Sequence, residues 1–166
     1  MTRAWIALGS NIGDRLVTMH TAIDALGDEV EAVSGLFETA AVGGETNAVF
    51  LNAVVRVSTQ DTPQALLERC LRIESDMGRV RSSSARWGPR IIDLDVLLMD
   101  GIRCDQDGLT LPHPRLHERA FVLVPLVEID ADLVHPNLGR TMAQLLDAEI
   151  AVNGPLAGRC THHVQV

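Results

Sequence analysis

The sequence contains no lysine, no tyrosine and no long apolar run. All 14 of its cationic side chains are arginine, and its aromatic side chains are two tryptophans and three phenylalanines. No apolar stretch reaches the roughly 18 residues that a membrane-spanning helix needs. The first apolar segment breaks at Gly9 before the pattern of a secretion signal is complete. We therefore expect a cytoplasmic protein without a membrane segment.

Cysteine is also scarce, and the three cysteines, Cys70, Cys104 and Cys160, have no paired CxxC spacing. This number and spacing indicate neither a disulfide framework nor a zinc site. The sequence shows no Ser/His or Cys/His arrangement for covalent nucleophilic catalysis either. These absences favour a chemistry that relies on positioning and charge neutralisation.

The formal net charge of −8 argues against a general nucleic-acid binder, because phosphate backbones favour a broad basic surface. Basic charge is instead local, since four of the arginines fall between positions 79 and 90. Such a cluster suits a small phosphorylated ligand, and a solvated arginine-rich loop is the alternative.

The order of predicted elements is strand, helix, strand, strand, helix, strand. The predicted ranges are 3–8, 14–26, 30–39, 49–58, 63–78 and 91–99. This order is typical of the ferredoxin-like α+β fold, an antiparallel sheet flanked by helices, here with C-terminal additions. With 166 residues the chain can bury one core, so we expect a single domain over 1–166 with a loose tail over 155–166.

The stretch GRVRSSSARWGPRIIDLD, residues 78–95, combines cations and carboxylates. Its arginines are Arg79, Arg81, Arg86 and Arg90. Guanidinium groups are planar and permanently charged, which suits phosphate oxygens. Asp93 and Asp95 share one face of the predicted strand, because side chains alternate, and the other face carries Ile92, Leu94, Val96 and Leu98. This stretch is the outline of a polyphosphate site.

The two aspartates can hold a divalent cation, since magnesium prefers oxygen ligands. Structural salt bridges to nearby arginines are the alternative for an isolated pair. The adjoining arginines favour a site where magnesium holds a nucleoside triphosphate.

Aromatic side chains could hold a flat heterocycle. Phe50 and Asn52 share one face of the strand 49–58, so a ring and an amide lie together. If Trp87 and Phe121 converge with Phe50, each stacked ring adds roughly 0.5 to 1.5 kcal/mol. Burial of Trp87 in the core is the alternative. His113, between two prolines, could donate to a phosphate or stabilise its turn.

Four motifs, GSNIGDR, GRVR, RWGPRIIDLDVLL and LPHPRLHERAFVLVPL, resemble the signature of the 6-hydroxymethyl-7,8-dihydropterin pyrophosphokinases of folate synthesis. The resemblance implies transfer of the β,γ-pyrophosphoryl group of ATP to the hydroxymethyl oxygen of the pterin, with two magnesium ions and release of AMP. The implied partners are therefore the small molecules pterin and ATP, and we expect a monomer.

The resemblance also implies roles for individual residues. Asp93 and Asp95 are the implied magnesium ligands, and with Arg81 and Arg90 they form the catalytic set. The implied nucleotide-binding residues are Glu74, Arg81, Arg90, Thr110, His113 and Arg119. The implied pterin-binding residues are Thr39, Val42, Phe50, Asn52, Trp87 and Phe121.

Two other functions use the same features. A ferredoxin-like RNA-binding module would stack bases on sheet aromatics, although the acidic charge and the few aromatic residues count against it. A magnesium-dependent phosphohydrolase would need the same aspartates and would place water where the pterin alcohol is expected.

Overall fold

The computed structural model describes residues 1–40, 49–79, 91–106, 108–156 and 159–164. The strands in these ranges are β1 (Thr2–Ser10), β2 (Val30–Val33), β3 (Leu36–Ala40), β4 (Val49–Thr59), β5 (Asp93–Met99), β6 (Cys104–Gln106), β7 (Leu109–Leu111) and β8 (Cys160–Val164). The α-helices are α1 (Arg15–Leu26), α2 (Pro63–Asp76), α3 (Ala120–Asp130) and α4 (Met142–Asn153).

The main sheet has the strand order β5-β1-β4-β3-β8, and β2 also pairs with β4. Every pairing in it is antiparallel. The central strands β1 and β4 are the first and third strands of the predicted ferredoxin-like order, and β5 is its fourth. The ferredoxin-like α+β fold predicted from the sequence is confirmed.

Helices α1, α2 and α4 begin at side chains that accept hydrogen bonds from free backbone N–H groups. The Asp14 carboxylate accepts from the Val17 N–H at 3.1 Å at the start of α1. The Thr62 hydroxyl accepts from the Ala65 N–H at 3.2 Å, and Pro63 opens α2 as predicted. None of the helices in the described ranges has the length and apolar character needed to cross a membrane.

The sheet carries a hydrophobic cluster on each face, so the helices form two outer layers. Helices α1 and α2 cover one face with a cluster that includes Ile6, Leu8, Met19, Leu66 and Leu94. Helices α3 and α4 cover the other face with a cluster that includes Trp5, Val54, Leu123 and Leu145. The second layer leaves part of its sheet face to the candidate site described below.

A bulge in β5 changes the predicted face of Leu98. Trp5 and Ile6 of β1 pair with Leu98 and Val96, so Leu97 is an extra residue between them. Leu98 therefore packs in the cluster under α3 and α4, while Val96 packs in the other. The prediction that both residues share one face is wrong, because strict alternation contains no signal for a bulge.

The predicted strand 30–39 is interrupted between β2 and β3. Both Ser34 and Val54 contribute to the break: the Ser34 N–H donates to the Val54 carbonyl at 3.0 Å, and the Val54 N–H donates to the Ser34 hydroxyl at 2.9 Å. The hydroxyl thus replaces a backbone partner, and the chain stays attached to β4 through the interruption.

The tail expected to be loose over 155–166 contains β8. His162 pairs with Phe37, and Cys160 pairs with Thr39. The expectation is wrong for Cys160–Val164, because β3 would otherwise present an unpaired backbone edge. The partner of that edge lies about 120 residues away in sequence, where local patterns carry no signal.

Candidate active site

Strands β1, β4 and β5 bring an amide and a carboxylate to the two sides of Gly9. Gly9 pairs with Asn52 of β4 and with Asp93 of β5, so all three lie on the same sheet face. A Cβ atom added at Gly9 would lie 3.2 Å from Asn52 Oδ1 and 4.0 Å from Phe50 Cδ1. The absence of a side chain at Gly9 therefore leaves this part of the face open and lets the amide lie close to β1.

Three of the predicted pterin-binding residues lie together on β3 and β4. Asn52 Nδ2 donates to Thr39 Oγ1 at 2.8 Å, and both residues are buried. Phe50 is partly buried and pairs with Thr39 across the ladder. Because Asn52 already holds Thr39, its amide is fixed in orientation before any ligand arrives.

Asp93 and Asp95 alternate with the buried residues Leu94 and Val96 and remain partly exposed. No group of three or more His, Cys, Asp or Glu side chains that could hold a metal occurs in the ranges described above. Magnesium is commonly held by one or two carboxylates, with phosphate oxygens and water completing its ligands. The carboxylate pair therefore fits magnesium that arrives with a nucleotide.

A buried carboxylate of α2 binds the backbone at the start of β5. Glu74 is 1% exposed, and its Oε1 accepts from the Leu94 N–H at 2.7 Å. Arg79 Nη1 lies 2.5 Å from the same oxygen and also contacts Asp93 Oδ1 and the Ile92 carbonyl. The charge of Glu74 in the last turn of α2 opposes the helix dipole, and Arg79 is the cation that offsets it.

Arg79 was not among the site residues predicted from the sequence, although it belongs to the arginine cluster. Its sequence neighbourhood indicated phosphate binding, whereas its contacts here link α2 to Asp93. The contacts require Glu74 and Asp93 to approach from different elements. The spacing within the arginine motif carries no signal for this arrangement.

His113 lies in the loop between β7 and α3 with a fixed ring orientation. The backbone N–H of His113 donates to the Leu97 carbonyl at 2.7 Å, and the ring Nδ1 accepts from the backbone N–H of Arg115 at 3.1 Å. The neutral ring therefore carries its proton on Nε2. Burial, followed by the charges of Arg119 and Arg115, lowers the pKa of His113 to about 4. Near neutral pH, His113 is an uncharged donor.

Arg119 ends the loop before α3 and lies within electrostatic range of both aspartates. Burial, and then the charge of Arg115, lower the pKa of Arg119, whereas Asp95 and Asp93 raise it. The guanidinium carbon lies 5.6 Å from the ring centroid of Phe121, within the range of a cation–π contact. The effect of the aspartate charges on the pKa of Arg119 indicates that the loop and β5 border the same polar site.

A family model described as 7,8-dihydro-6-hydroxymethylpterin-pyrophosphokinase (HPPK) matches residues 5–131, a range that contains Asn52, both aspartates and Arg119. The chain belongs to the HPPK family. The match confirms the resemblance predicted from the sequence. HPPK enzymes are diphosphotransferases of folate biosynthesis, so the chain is an ATP-dependent pyrophosphokinase for hydroxymethyldihydropterin.

Three bacterial relatives are named 2-amino-4-hydroxy-6-hydroxymethyldihydropteridine pyrophosphokinase. The protein of Methylorubrum extorquens is 49% identical over 138 residues, or 81% of this chain and 86% of that protein. The Bacillus subtilis protein is 46% identical over 130 residues, 76% of this chain and 77% of its own. The Mycobacterium leprae protein is 41% identical over 167 residues, 93% of this chain and 85% of its own.

A crystal structure of a Plasmodium falciparum HPPK-DHPS variant with pterin and p-hydrobenzoate is similar in fold. It has a TM-score of 0.76 at 15% sequence identity, and the match covers 97% of this HPPK chain. It covers 47% of the Plasmodium chain, so this chain spans about half of that neighbour. At this identity the likeness shows the fold.

The structure brings five of the residues predicted for this HPPK site together on one sheet. Thr39, Phe50 and Asn52 lie on β3 and β4, and Asp93 and Asp95 lie on β5 of the same sheet. Four predicted residues lie outside the described residues: Val42, Arg81, Trp87 and Arg90. Glu74 is buried below β5, and the exposed Thr110 of β7 donates its hydroxyl to Asp105 Oδ1 at 3.1 Å.

The lowered pKa of His113 predicts a stability that falls in acid. Between about pH 6.5 and pH 4 the unfolded chain binds a proton at this ring that the folded chain does not bind. The free energy of unfolding should therefore decrease as the pH is lowered through this window. Urea denaturation at a series of pH values measures the slope, and His113→Asn should reduce it.

The matched control for this measurement is His20→Asn, because His20 is exposed on α1. This control should keep the slope of the parent protein. A slope that is equal in His113→Asn and in the parent protein would show that His113 does not titrate in this way.

Proposed function

We propose that this chain binds its pterin against β3 and β4 and transfers the β,γ-pyrophosphoryl group of ATP to it beside β5. The observation that carries this proposal is the position of Gly9, with the amide of Asn52 on one side and the Asp93 carboxylate on the other. A heterocycle held at the amide and a triphosphate held at the carboxylates would place the hydroxymethyl oxygen near the transferred phosphorus.

The pterin side uses one ring and one amide of β4. Phe50 offers a partly exposed ring for stacking, and Asn52 offers an amide whose Nδ2 already donates to Thr39. The remaining donor and the oxygen of the amide can read the polar edge of a pterin. We assign Val42, Trp87 and Phe121 to the same pocket, as predicted from the sequence.

The phosphate side uses the acidic residues of β5 and the loop before α3. Two bound magnesium ions would neutralise charge on the phosphate oxygens and align the group that is transferred. Asp93 and Asp95 would hold the ions, and Arg79 and Glu74 keep Asp93 in place. Their donor chemistry fits this cation.

Uncharged and charged donors would bind the nucleotide together. His113 offers its Nε2 proton, and Arg119 offers a charged fork near Asp95. We assign Arg81, Arg90, Thr110 and Glu74 to the nucleotide side as well. The chain needs no covalent intermediate, because the pterin oxygen attacks the β-phosphorus while the bond from that phosphorus to the α-phosphate oxygen breaks.

Product analysis tests the reaction. The purified protein is incubated with magnesium, reduced hydroxymethylpterin and ATP that carries labels on both the β- and γ-phosphates. We expect AMP and a pterin diphosphate that contains both labels, as identified by mass. Pterin-independent release of inorganic phosphate would instead support a phosphohydrolase, and ADP formation would contradict pyrophosphoryl transfer.

A single substitution tests the pterin side. Asn52→Leu removes the amide but keeps a side chain of similar size, so we expect roughly a hundredfold weaker binding of hydroxymethylpterin, as buried polar groups of the ligand lose their partners. Calorimetric titration with the pterin, and separately with a nonhydrolysable ATP analogue, provides the measurement.

Nucleotide binding serves as the internal control for Asn52→Leu and should change little. Pterin affinity equal to that of the parent protein would remove Asn52 from the pocket. Our proposal includes a cytoplasmic monomer, and light scattering at working concentration checks its mass.

A further inference from the structure

The strand β8 lies beyond residues 5–131, the range of the HPPK match, and yet it contacts the strand that carries Thr39. It pairs with β3 from Leu36 to Thr39, with Cys160 directly opposite Thr39. The ring of His162 packs edge-on against Phe37, with 5.2 Å between the ring centroids. A strand outside the matched range thus pairs with the outer edge of β3, one of the two strands against which we place the pterin.

Glycine at position 35 allows this close approach. A Cβ atom added there would lie 2.6 Å from His162 Nε2, which is closer than nonbonded atoms can come. The Gly35 N–H donates to Glu128 Oε2 of α3 at 2.8 Å. The start of β3 is therefore held between β8 and α3.

An ion pair between the partly exposed Arg159 and the buried Glu149 fastens the start of β8 to α4. Arg159 Nη1 lies 2.8 Å from Glu149 Oε1, and Nη2 lies 3.1 Å from Oε2, so the contact is bidentate. Arg159 also donates to the carbonyls of Gly154 and Pro155 at 2.5 and 3.1 Å. Hydrogen bonding from Arg159 lowers the pKa of the buried Glu149, so the carboxylate stays charged near neutral pH.

The contacts continue from this ion pair to the amide that is proposed to read the pterin. Arg159 precedes Cys160, Cys160 pairs with Thr39, and Thr39 Oγ1 accepts from Asn52. Cys160 and Thr39 are both buried, so a shift of one displaces the other in a closely packed interior. In the sheet, β8 is the strand that pairs with the outer edge of β3, so a displacement of β8 acts directly on that edge.

We propose that Glu149 and Arg159 are positioning residues for pterin binding, which hold β8 against β3 and thereby fix the Thr39 and Asn52 pair. This inference rests on the proposed location of the pterin on β3 and β4. The Glu149–Arg159 ion pair, the clamp of β8, would then affect pterin affinity although it contacts neither substrate.

The test compares Arg159→Met with Arg140→Met. Arg140 is exposed just before α4 and donates to the Gln144 carbonyl, so its substitution removes the same charge away from β8. We expect Arg159→Met to weaken hydroxymethylpterin binding roughly three- to tenfold, while binding of a nonhydrolysable ATP analogue stays unchanged. Arg140→Met should change neither affinity.

Two further measurements separate positioning from general destabilisation. Hydrogen exchange should show faster exchange of the β3 amides in Arg159→Met, with the central strand β1 unaffected. Arg159→Lys keeps a charge beside Glu149 and should recover most of the pterin affinity. If Arg159→Met does not fold, Glu149→Gln, which keeps the shape of the carboxylate, takes its place in the same comparison.

Equal pterin affinity in Arg159→Met, Arg140→Met and the parent protein would overturn the inference, and so would equal losses for pterin and nucleotide. The proposed location of the pterin fails in a different way. If the proposed location is wrong, Asn52→Leu leaves pterin binding unchanged. If only the clamp is wrong, Asn52→Leu still weakens pterin binding, and Arg159→Met does not.

Discussion

Asp95→Asn is expected to lower the turnover number about a thousandfold while the protein stays folded, because metal-assisted charge neutralisation contributes several kcal/mol to such reactions. The amide keeps the shape of the carboxylate but loses its charge and most of its affinity for magnesium. Asp95 is partly exposed at the site, so the substitution leaves the buried side of β5 unchanged. Rates of AMP formation, measured at saturating substrates over a magnesium titration, give the result.

Asp100→Asn is the matched control, because Asp100 is an exposed carboxylate just after the same strand. This control should keep the turnover of the parent protein. Asp95→Asn should also need more magnesium to reach its own maximum rate. Near-normal turnover of Asp95→Asn at limiting magnesium would refute the role of this carboxylate, provided that circular dichroism shows an intact fold.

Local rules predicted much of the fold and which candidate site residues share a sheet face. A period of two placed Phe50 and Asn52 on one face of β4, and it separated Asp93 and Asp95 from Leu94, because these strands are regular where the site lies. The start of α2 is also a local feature, because Thr62 caps the helix and Pro63 is its first residue. Each of these features depends on neighbours in sequence.

The contacts that the sequence could not predict join distant elements. Glu74 reaches the Leu94 N–H across 20 positions, and Arg159 fastens a strand whose partner Thr39 lies far earlier in the chain. The sequence carries no signal for the bulge at Leu97 either, because the bulge depends on the register between β1 and β5. Tertiary packing decides such features, and local patterns do not encode them.

Glu74→Ala is expected to lower the free energy of unfolding by about 3 kcal/mol, because a buried donor and a paired cation lose the same acceptor. The Leu94 N–H would be left in the interior at the start of β5, and Arg79 would keep Asp93 as its carboxylate partner. Turnover should also fall about tenfold, as it does when a group that orients a metal ligand is removed. Urea denaturation and rates of AMP formation measure the two effects.

The control Glu68→Ala removes an exposed carboxylate from the same helix and should change the free energy of unfolding by less than about 0.5 kcal/mol. A double-mutant cycle with Arg79→Met then isolates the pair. The double variant should lose less stability than the sum of the single losses, because each single substitution leaves the other group partly uncompensated. Strict additivity would show that Glu74 stabilises β5 through Leu94 alone, and that Arg79 holds Asp93 independently of the helix.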